Sequence, residues 1–228
     1  CAADLLLVAA VGETATDTED EVLWFVVDPT GPGVRIDALE STDKTVDVGV
    51  VHFDGYVAEP DSLLAGIDAV RARCLAVALT ACAAVGAIRW CVDAVTDHLR
   101  TREQFGKPIG TFQALQHQAA MLLVNCELAT SAAWDAVRAA EEDRVQHEIA
   151  AAGAALMAVS PAPELVLDTL TMFGAIGFTW GHDLHLYWRK ATSLAASIGP
   201  VGRHAHALGE LSRTHDRDVS VKLGDQDS

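Results

Sequence analysis

One short stretch, Arg102 to Ile109, separates two long helical patterns of apolar residues and constrains the fold more than any other feature. Gly106 and Pro108 interrupt the first pattern, because glycine loosens the backbone and proline restricts the residue before it. The apolar pattern resumes at Phe112. A short connection between two long helices makes them antiparallel neighbours. The sequence therefore predicts a helical hairpin with its hinge at this stretch.

Helical patterns continue on both sides of the hinge. Small residues such as Ala76, Ala83 and Gly86 allow neighbouring helices to approach closely, which predicts a tight bundle. Pro163 is compatible with the first turn of a helix, so the pattern that stops at Val159 can resume after the break. We expect helices over about residues 62–101 and 111–141, a third that follows a charged corner at 138–148 and runs to 159, and further helices over 165–173, 183–196 and 201–213.

The residues before the helices are typical of β-strands. Apolar runs over residues 5–9, 22–27, 34–36 and 46–53 are separated by turn residues, and an acidic connection, Asp17 to Glu21, joins the first two. So few strands bury too little surface alone and need partners. The predicted fold class is α+β, mainly α, with a β-unit over residues 1–60, a helical unit over 61–213 and a polar tail over 214–228.

The charge balance excludes several classes of partner. The chain of 228 residues carries 16 basic and 32 acidic residues, a net charge of -16. This charge opposes the neutralisation of phosphate groups, so we expect no nucleic-acid partner and no anionic membrane surface. The apolar run from Cys74 to Ile88 ends at Arg89, short of the roughly 20 residues that span a bilayer. It predicts a buried helix and no membrane span.

Metal-ligand spacing is not indicated. The cysteines at positions 1, 74, 82, 91 and 126 are not paired as in metal sites, and they indicate a reduced, intracellular protein. His182 and His185 have the i,i+3 spacing that metal sites also use, but no third ligand is indicated. We expect surface or interface histidines there, as for His204 and His206, and no metal.

Three segments resemble one known family in their order and intervals. They are Arg-x-Gln-Phe-Gly-x-Pro-Ile at 102–109, Phe-Gln-x-x-Gln-His at 112–117 and Phe-Gly-Ala-Ile-Gly-Phe-Thr at 173–179. Together they are similar to the carboxy-terminal helical domain of the acyl-CoA dehydrogenases. The resemblance implies an antiparallel up-and-down helical bundle of that type, preceded by the second half of the family's middle β-domain as a partial β-barrel.

The same resemblance implies an activity and its partners. The family consists of flavoprotein oxidoreductases of lipid metabolism and fatty acid β-oxidation that act on acyl-CoA substrates. We therefore expect FAD as the cofactor and a cytoplasmic protein. The implied partners are a homologous subunit in a hetero- or homo-oligomer, either dimer or tetramer, and electron-transfer flavoprotein or another electron acceptor.

Four residues match the family's contacts to FAD, which reach across the dimer interface to the pyrophosphate and adenosine of the neighbouring subunit's cofactor. They are Arg102, Gln104, Phe105 and Gln113. Arginine suits a pyrophosphate because its planar fork pairs with two oxygens. The alternative for Arg102 is purely structural, since the helix dipole favours a cation at the carboxy-terminal end of a helix.

The glycine-marked segment matches the family's dinucleotide contacts less completely. Gly174 and Gly177 preserve the close approach of a cofactor to the backbone. Ala175 stands where the family has its second glycine, and Thr171 stands where it has glutamine. Binding at this end is expected to survive with altered geometry. The alternative is that Gly174 only caps a helix.

The family's catalytic carboxylate is missing from both of its usual positions. The base that takes the α-proton of the acyl-CoA corresponds to Ile198 or, in other members, to Ala76, and neither side chain accepts a proton. Val77 and Pro200 replace two further residues of the acyl-CoA site. The chain therefore resembles the non-catalytic subunit of a heteromer whose partner supplies the base. Two alternatives stay open: a helical scaffold that has lost flavin, and an active flavin dehydrogenase with an unrecognised base.

Overall fold

The computed structural model describes residues 3–11 and 22–224, with side chains described as far as Arg213. The acidic connection predicted over Asp17 to Glu21 and the side chains of the predicted tail lie outside the described residues. Two compact units comprise the residues up to Arg73 and those from Cys74 onward. The limits at residues 60 and 213 stay a prediction.

The first unit contains two small antiparallel sheets. Strands β1 (Leu6–Val11), β2 (Val22–Val27) and β5 (Leu63–Leu64) form one sheet in the order β1-β2-β5. Strands β3 (Val34–Leu39) and β4 (Val48–Phe53) form the other. The predicted strands are confirmed, with ends that differ by a few residues.

Helix α1 (Ala69–Thr101) begins later than the predicted start at Ser62. The intervening Leu63–Leu64 pairs with β2 as the edge strand β5 instead of continuing a helix. The Asp68 carboxylate then accepts a hydrogen bond from the Arg71 backbone N–H at 3.0 Å, as an N-terminal cap does. The apolar pattern correctly predicted a long helix, but the strand pairing of Leu63–Leu64 prevents the helix from beginning at residue 62.

The second unit is a helical bundle. Beside α1 it contains α2 (Gln113–Arg138), α3 (Arg144–Ala154), α4 (Ala162–Phe173), α5 (Leu184–Ser197) and α6 (Val201–Gly224). Its core includes many small side chains that let the helices approach closely; among the buried residues are Ala81, Ala84, Ala129, Ala133, Ala136, Ala154 and Ala158. The fold class and the predicted bundle are confirmed.

Helices α1 and α2 are antiparallel, as the short connection predicts. Arg89 of α1 forms an ion pair with Glu127 of α2 at 2.7 Å. Nearer the connection, Thr96 of α1 and Ala119 of α2 line the same groove. A later residue of α1 therefore lies beside an earlier residue of α2, as in an antiparallel pair.

The chain between α3 and α4 winds as a π-helical segment, Ala155–Val159. The Ser160 N–H donates to the Ala155 carbonyl at 2.9 Å, and Pro163 lies in the first turn of α4. The predicted interruption is confirmed, whereas the π-winding was not predicted. At the carboxy terminus, α6 continues to Gly224, so the predicted helix end at Arg213 is wrong.

Two helical stretches are long and apolar enough to cross a membrane by length and composition alone. They are Ala69–Thr101 and Arg144–Phe178, and 44% and 56% of their most apolar windows are buried within the fold. Core helices of a bundle meet the same criterion, so this finding is weak evidence for a span. The apolar run from Cys74 to Ile88 lies within the first of them and contributes to the core.

Candidate functional site

The connection between α1 and α2 is a miniature β-hairpin. Strand β6 (Glu103–Gln104) pairs with β7 (Lys107–Pro108), and Phe105 and Gly106 form the turn between them with φ angles of 55° and 76°. Two central residues with positive φ characterise the type I′ turn of tight hairpins. The predicted hinge is therefore confirmed as a break between helices, but its strands were missed.

Phe105 occupies the tip of this hairpin. An aromatic residue rarely adopts a positive φ, and it is the only non-glycine residue with one in the part of the chain that the structure describes. Its side chain is 91% exposed. The ring meets Phe112 edge-on at 6.1 Å, and Lys107 Nζ lies 4.5 Å above the Phe112 ring. Strained backbone conformations of this kind cluster at binding and active sites, so Phe105 is a candidate for such a role.

Arg102 lies at the base of the hairpin, directly after α1. Its backbone N–H donates to the His98 carbonyl at 2.9 Å, and its carbonyl accepts from the Ile109 N–H at 2.8 Å. The side chain is exposed and forms no hydrogen bond or ion pair with the described residues. The guanidinium is therefore available to an external anion, in a position where the helix dipole also favours a cation.

Two glutamine amides lie beside this arginine in the chain. Gln104 is exposed, and its Nε2 donates to the Glu103 carbonyl at 2.9 Å. Gln113 is the first residue of α2 and is also exposed. The connection and the first residue of α2 thus carry all four residues of the predicted flavin contact, Arg102, Gln104, Phe105 and Gln113, and each of them is exposed.

The glycine-marked segment forms the end of α4 and the 3₁₀ turn that follows it. Gly174 has a φ of 70° and caps α4, with its N–H bonded to the Thr171 carbonyl. Gly177 is buried, and a Cβ there would come within 2.8 Å of the Leu170 carbonyl oxygen. The capping role of Gly174 is therefore real, and packing within the chain already requires a glycine at 177.

Thr171 and Ala175 are exposed beside this cap. The Thr171 hydroxyl donates to the Asp168 carbonyl at 2.7 Å, within the last turn of α4. Ala175 follows Gly174 in the 3₁₀ turn, where its methyl group faces outward. Both residues therefore lie on the outer surface of the segment.

Stacked rings join the end of α1, which leads into the hairpin, to the end of α4, which leads into the glycine-marked segment. The ring of His98 in α1 lies on that of Phe173 in α4, with centroids 4.1 Å apart and planes 15° apart. Arg102 is one helical turn beyond His98, and Gly174 directly follows Phe173. The sequence analysis missed this stack. The i,i+4 spacing of His98 and Arg102, which places both on one helix face, was its only sequence signal.

The surroundings of His98 lower its pKa below the ordinary value of 6.5. Burial is the main cause, followed by the positive charges of Arg102 and of protonated His182. Between the folded pKa and 6.5, the unfolded chain binds more protons at this residue than the folded chain does. The contribution of His98 to stability is therefore fully present at pH values above its ordinary pKa of 6.5, and it is lost as the pH falls towards its lower pKa in the folded protein.

A pH series of unfolding experiments tests this assignment. We expect the free energy of unfolding to fall as the pH drops from neutral through the ordinary histidine pKa of 6.5, with part of that fall due to His98. His98→Phe keeps an aromatic ring but removes the titrating group, so its pH profile should be flatter. Urea unfolding of both proteins across this range measures the difference, and identical slopes would contradict the assignment.

Neither expected base position holds a proton acceptor. Ile198 caps α5 and packs against the core, and its carbonyl is 2.9 Å from His204 Nε2. Ala76 is exposed on α1, roughly 40 Å along the helix from Arg102. Val77 is 6% exposed and belongs to the core. None of these positions has a carboxylate that could take a proton from a substrate.

One of the four histidines predicted at a surface or interface is instead buried. His204 is buried, so the expectation of a surface or interface position is wrong for it, whereas His206 is exposed. His182 Nδ1 accepts from the Leu184 N–H at 3.2 Å, and His185 Nδ1 is 2.7 Å from the His182 carbonyl oxygen. Within residues 3–11 and 22–213, no three histidine, cysteine or acidic side chains form a group that could hold a metal ion.

Buried thiols offer no alternative base. Burial raises the pKa of Cys91 to about 12, and it also raises the pKa of Cys126. Cys82, Cys91 and Cys126 are free cysteines. A thiol that stays protonated at neutral pH is neither a nucleophile nor a proton acceptor.

Comparison with known proteins finds a matching family and similar relatives. The family described as "Acyl-CoA dehydrogenase, C-terminal domain" matches residues 66–209. The chain is 37% identical over 191 residues to acyl-CoA dehydrogenase FadE34 of Mycobacterium tuberculosis, which covers 83% of this chain and 26% of FadE34.

Two solved structures are similar over nearly the whole chain. A steroid ACAD named Tcur3481-Tcur3483, solved as a variant, is 27% identical with a TM-score of 0.83 and covers 94% of this chain and 56% of its own. The ChsE4-ChsE5 complex from Mycobacterium tuberculosis is 26% identical with a TM-score of 0.78 and covers 91% and 55%. The chain thus spans about a quarter to just over half the length of these relatives.

Proposed function

The chain belongs to the acyl-CoA dehydrogenase family, whose members are FAD-dependent oxidoreductases, and from that premise we propose that it completes an FAD site across a subunit interface. The assembled enzyme would carry out α,β-dehydrogenation of an acyl-CoA thioester. One observation carries the proposal: the α1–α2 hairpin presents an exposed guanidinium and a strained aromatic ring that stays 91% exposed despite its edge-on contact with Phe112.

The exposed residues of the hairpin suit the chemistry of FAD. Arg102 would pair with the pyrophosphate through its planar fork, and Phe105 would contact the adenosine part. The amides of Gln104 and Gln113 supply hydrogen bonds of either polarity. When bound, the flavin supplies the hydride acceptor for the β-carbon of the substrate.

The glycine-marked segment would contact the dinucleotide end of the cofactor. Gly174 exposes backbone at the α4 cap, Thr171 offers a hydroxyl, and Ala175 adds one methyl group to the surface that the cofactor would approach. We propose that this methyl group changes the binding geometry without preventing contact.

We propose that a homologous subunit supplies the catalytic base. Ile198 and Ala76 leave this chain without a carboxylate at either position, so a partner must take the α-proton. The two similar structures are each named for two chains, Tcur3481-Tcur3483 and ChsE4-ChsE5, which supports assembly from different subunits.

The surface of α2 supports an oligomeric assembly, a dimer or a tetramer. Met121, Val124 and Leu128 recur at spacings of three and four along this helix, and each is about half exposed. Such a stripe suits the apolar face of a helix from another subunit. Electron-transfer flavoprotein or another acceptor would then reoxidise the flavin, and we propose a cytoplasmic location.

The acyl group is the least constrained part of the proposal. One similar structure is described as a steroid ACAD, and we propose on that likeness that a steroid-derived acyl-CoA is the first substrate class to test. Straight-chain acyl-CoA thioesters of graded length are the matched comparison in the same assay.

A scaffold that has lost flavin is the second candidate, favoured by Ala175 and Thr171. Visible absorbance distinguishes the two, because a bound flavin absorbs blue light and a scaffold does not. We expect the chain purified with its co-expressed homologous subunit to be yellow and to release FAD on denaturation. A colourless, folded and stoichiometric complex would instead support the scaffold that has lost flavin.

Phe105 provides a test that separates binding from stability. Phe105→Asn creates an Asn-Gly pair, the preferred sequence of a type I′ turn, and relieves an aromatic residue of its left-handed conformation. We expect the free energy of unfolding to rise by about 1 kcal/mol while FAD affinity falls about threefold to tenfold, because the ring is lost. Thermal unfolding and FAD titration measure the two effects.

The control for this variant is Phe112→Leu, which removes the other ring of the edge-on pair but leaves the hairpin tip unchanged. It should affect FAD affinity less than Phe105→Asn does. A more stable Phe105→Asn protein with unaltered FAD affinity would show that the exposed ring does not bind the cofactor.

A further inference from the structure

The carboxy-terminal turns of α1 and α4 are joined by aromatic rings. His98 stacks on Phe173 with centroids 4.1 Å apart, and Phe173 also meets the ring of His182 at 4.7 Å. We name the first of these pairs, His98 and Phe173, the helix-end stack. Both members are only partly buried, so the contact lies at the margin of the core.

Each ring of the helix-end stack is adjacent to one half of the proposed flavin contact. The His98 carbonyl accepts the Arg102 N–H at 2.9 Å, so the ring lies one helical turn before the guanidinium. Phe173 directly precedes Gly174, whose φ of 70° ends α4. A shift of one ring relative to the other would therefore move the arginine relative to the glycine cap.

Stacking restrains such shifts better than aliphatic packing does. Aromatic pairs have preferred offsets and plane angles, whereas aliphatic side chains of similar size pack in many orientations. The planes of His98 and Phe173 are 15° apart, close to a parallel arrangement. The helix-end stack thus resists sliding as well as burying apolar surface.

We propose that His98 and Phe173 are positioning residues of the flavin site, which hold Arg102 and Gly174 at the separation that one FAD dinucleotide requires. This inference rests on the proposed function. It goes beyond that function because neither residue belongs to the predicted contact set and neither needs to touch the cofactor.

The test compares FAD affinity among variants of the assembled complex with its homologous subunit. His98→Leu removes the stack and retains an apolar side chain, and we expect it to weaken FAD binding about threefold to tenfold. His98→Phe restores a stacking ring and should bind FAD within twofold of the wild type, about the smallest difference that titration resolves. Phe173→Leu should reproduce the loss from the other side.

A matched control exists within the same bundle. Trp90 of α1 stacks on Tyr187 of α5 with centroids 3.9 Å apart and planes 8° apart. Neither residue lies within one helical turn of the hairpin or the glycine cap, and Tyr187 is the member to replace because Trp90 also meets the His182 ring at 6.4 Å. Tyr187→Leu should lower thermal stability as His98→Leu does, but leave FAD affinity unchanged. Equal losses of affinity in the two variants would assign the effect to general destabilisation and overturn the inference.

A double-mutant cycle with Arg102→Ala decides whether His98 acts through the arginine. If it does, the double variant binds FAD more tightly than the product of the two single losses predicts, because the arginine that His98 positions is already gone. Multiplicative losses would overturn the inference and leave the proposed function intact.

Failure of the proposed function gives a different result. A wild-type complex that binds no FAD would overturn both the proposed function and the positioning role. If Arg102→Ala weakens FAD binding but a folded His98→Leu variant does not, only the positioning role is overturned. If His98→Leu does not fold, Phe173→Leu and the His98→Phe rescue carry the same test from the remaining ring.

Discussion

A preparation in which this chain is the only subunit is expected to form no enoyl-CoA from any acyl-CoA thioester. Dehydrogenation requires a base that takes the α-proton while hydride leaves the β-carbon, and general base catalysis contributes typically 10²–10⁴-fold, as an order of magnitude. Ile198 offers only an aliphatic side chain, its backbone carbonyl lies against His204 Nε2, and Ala76 offers a methyl group. Cys91 remains protonated in the core.

The measurement is reduction of an artificial electron acceptor together with chromatographic detection of enoyl-CoA. Steroid-derived and straight-chain thioesters are both supplied, since the acyl group is part of the proposal. The control is the complex with a homologous subunit that carries the carboxylate, which should turn over under identical conditions. Product from the single-subunit preparation would refute the partner-supplied base and favour an unrecognised base in this chain.

Arg102→Ala is expected to lower the FAD affinity of the complex tenfold or more without unfolding the helices. A hydrogen bond to a charged group contributes roughly 1.5–3 kcal/mol, which corresponds to about a tenfold change or greater in a dissociation constant. The exposed guanidinium has no ion-pair partner among the described residues, so its removal breaks no internal bridge.

The structural alternative for Arg102 predicts a different result. A cation that only complements a helix dipole contributes roughly 0.3–1 kcal/mol, which salt screens. In that case FAD affinity would hardly change. Titration of wild-type and variant complexes at matched ionic strength, with equal helicity by circular dichroism, decides between the two. Arg100→Ala, also exposed in the last turn of α1, is the matched control for the loss of a nearby positive charge.

Some of the fold follows from residues that act locally. Pro163 occupies the first turn of α4, as its fixed φ allows, and Gly174 ends that helix because it adopts a positive φ without steric cost. Gly106 and Pro108 interrupt the helical pattern through their own backbone properties, independently of tertiary contacts. The apolar spacing on either side of that break was enough to predict two antiparallel helices.

The candidate site was predictable only through the resemblance. Arg102, Gln104, Phe105 and Gln113 match motif positions, but their spacing alone does not distinguish a cofactor contact from a polar helix end. Tertiary structure added that Phe105 is at the tip of a hairpin with a positive φ. Phenylalanine has no local preference for a positive φ. The conformation depends instead on the pairing between β6 and β7.

The sequence by itself determined where helices break and which positions can carry charge or accept protons, because these properties belong to single side chains. Tertiary structure decided what depends on the meeting of distant segments. Leu63–Leu64 became a strand because β2 was available as a partner, and Gly177 became indispensable because the Leu170 carbonyl lies against it. The contact of His98 with Phe173 likewise exists only once the bundle has formed, since the two residues are on different helices and a helical pattern specifies a face but not the residue that it meets.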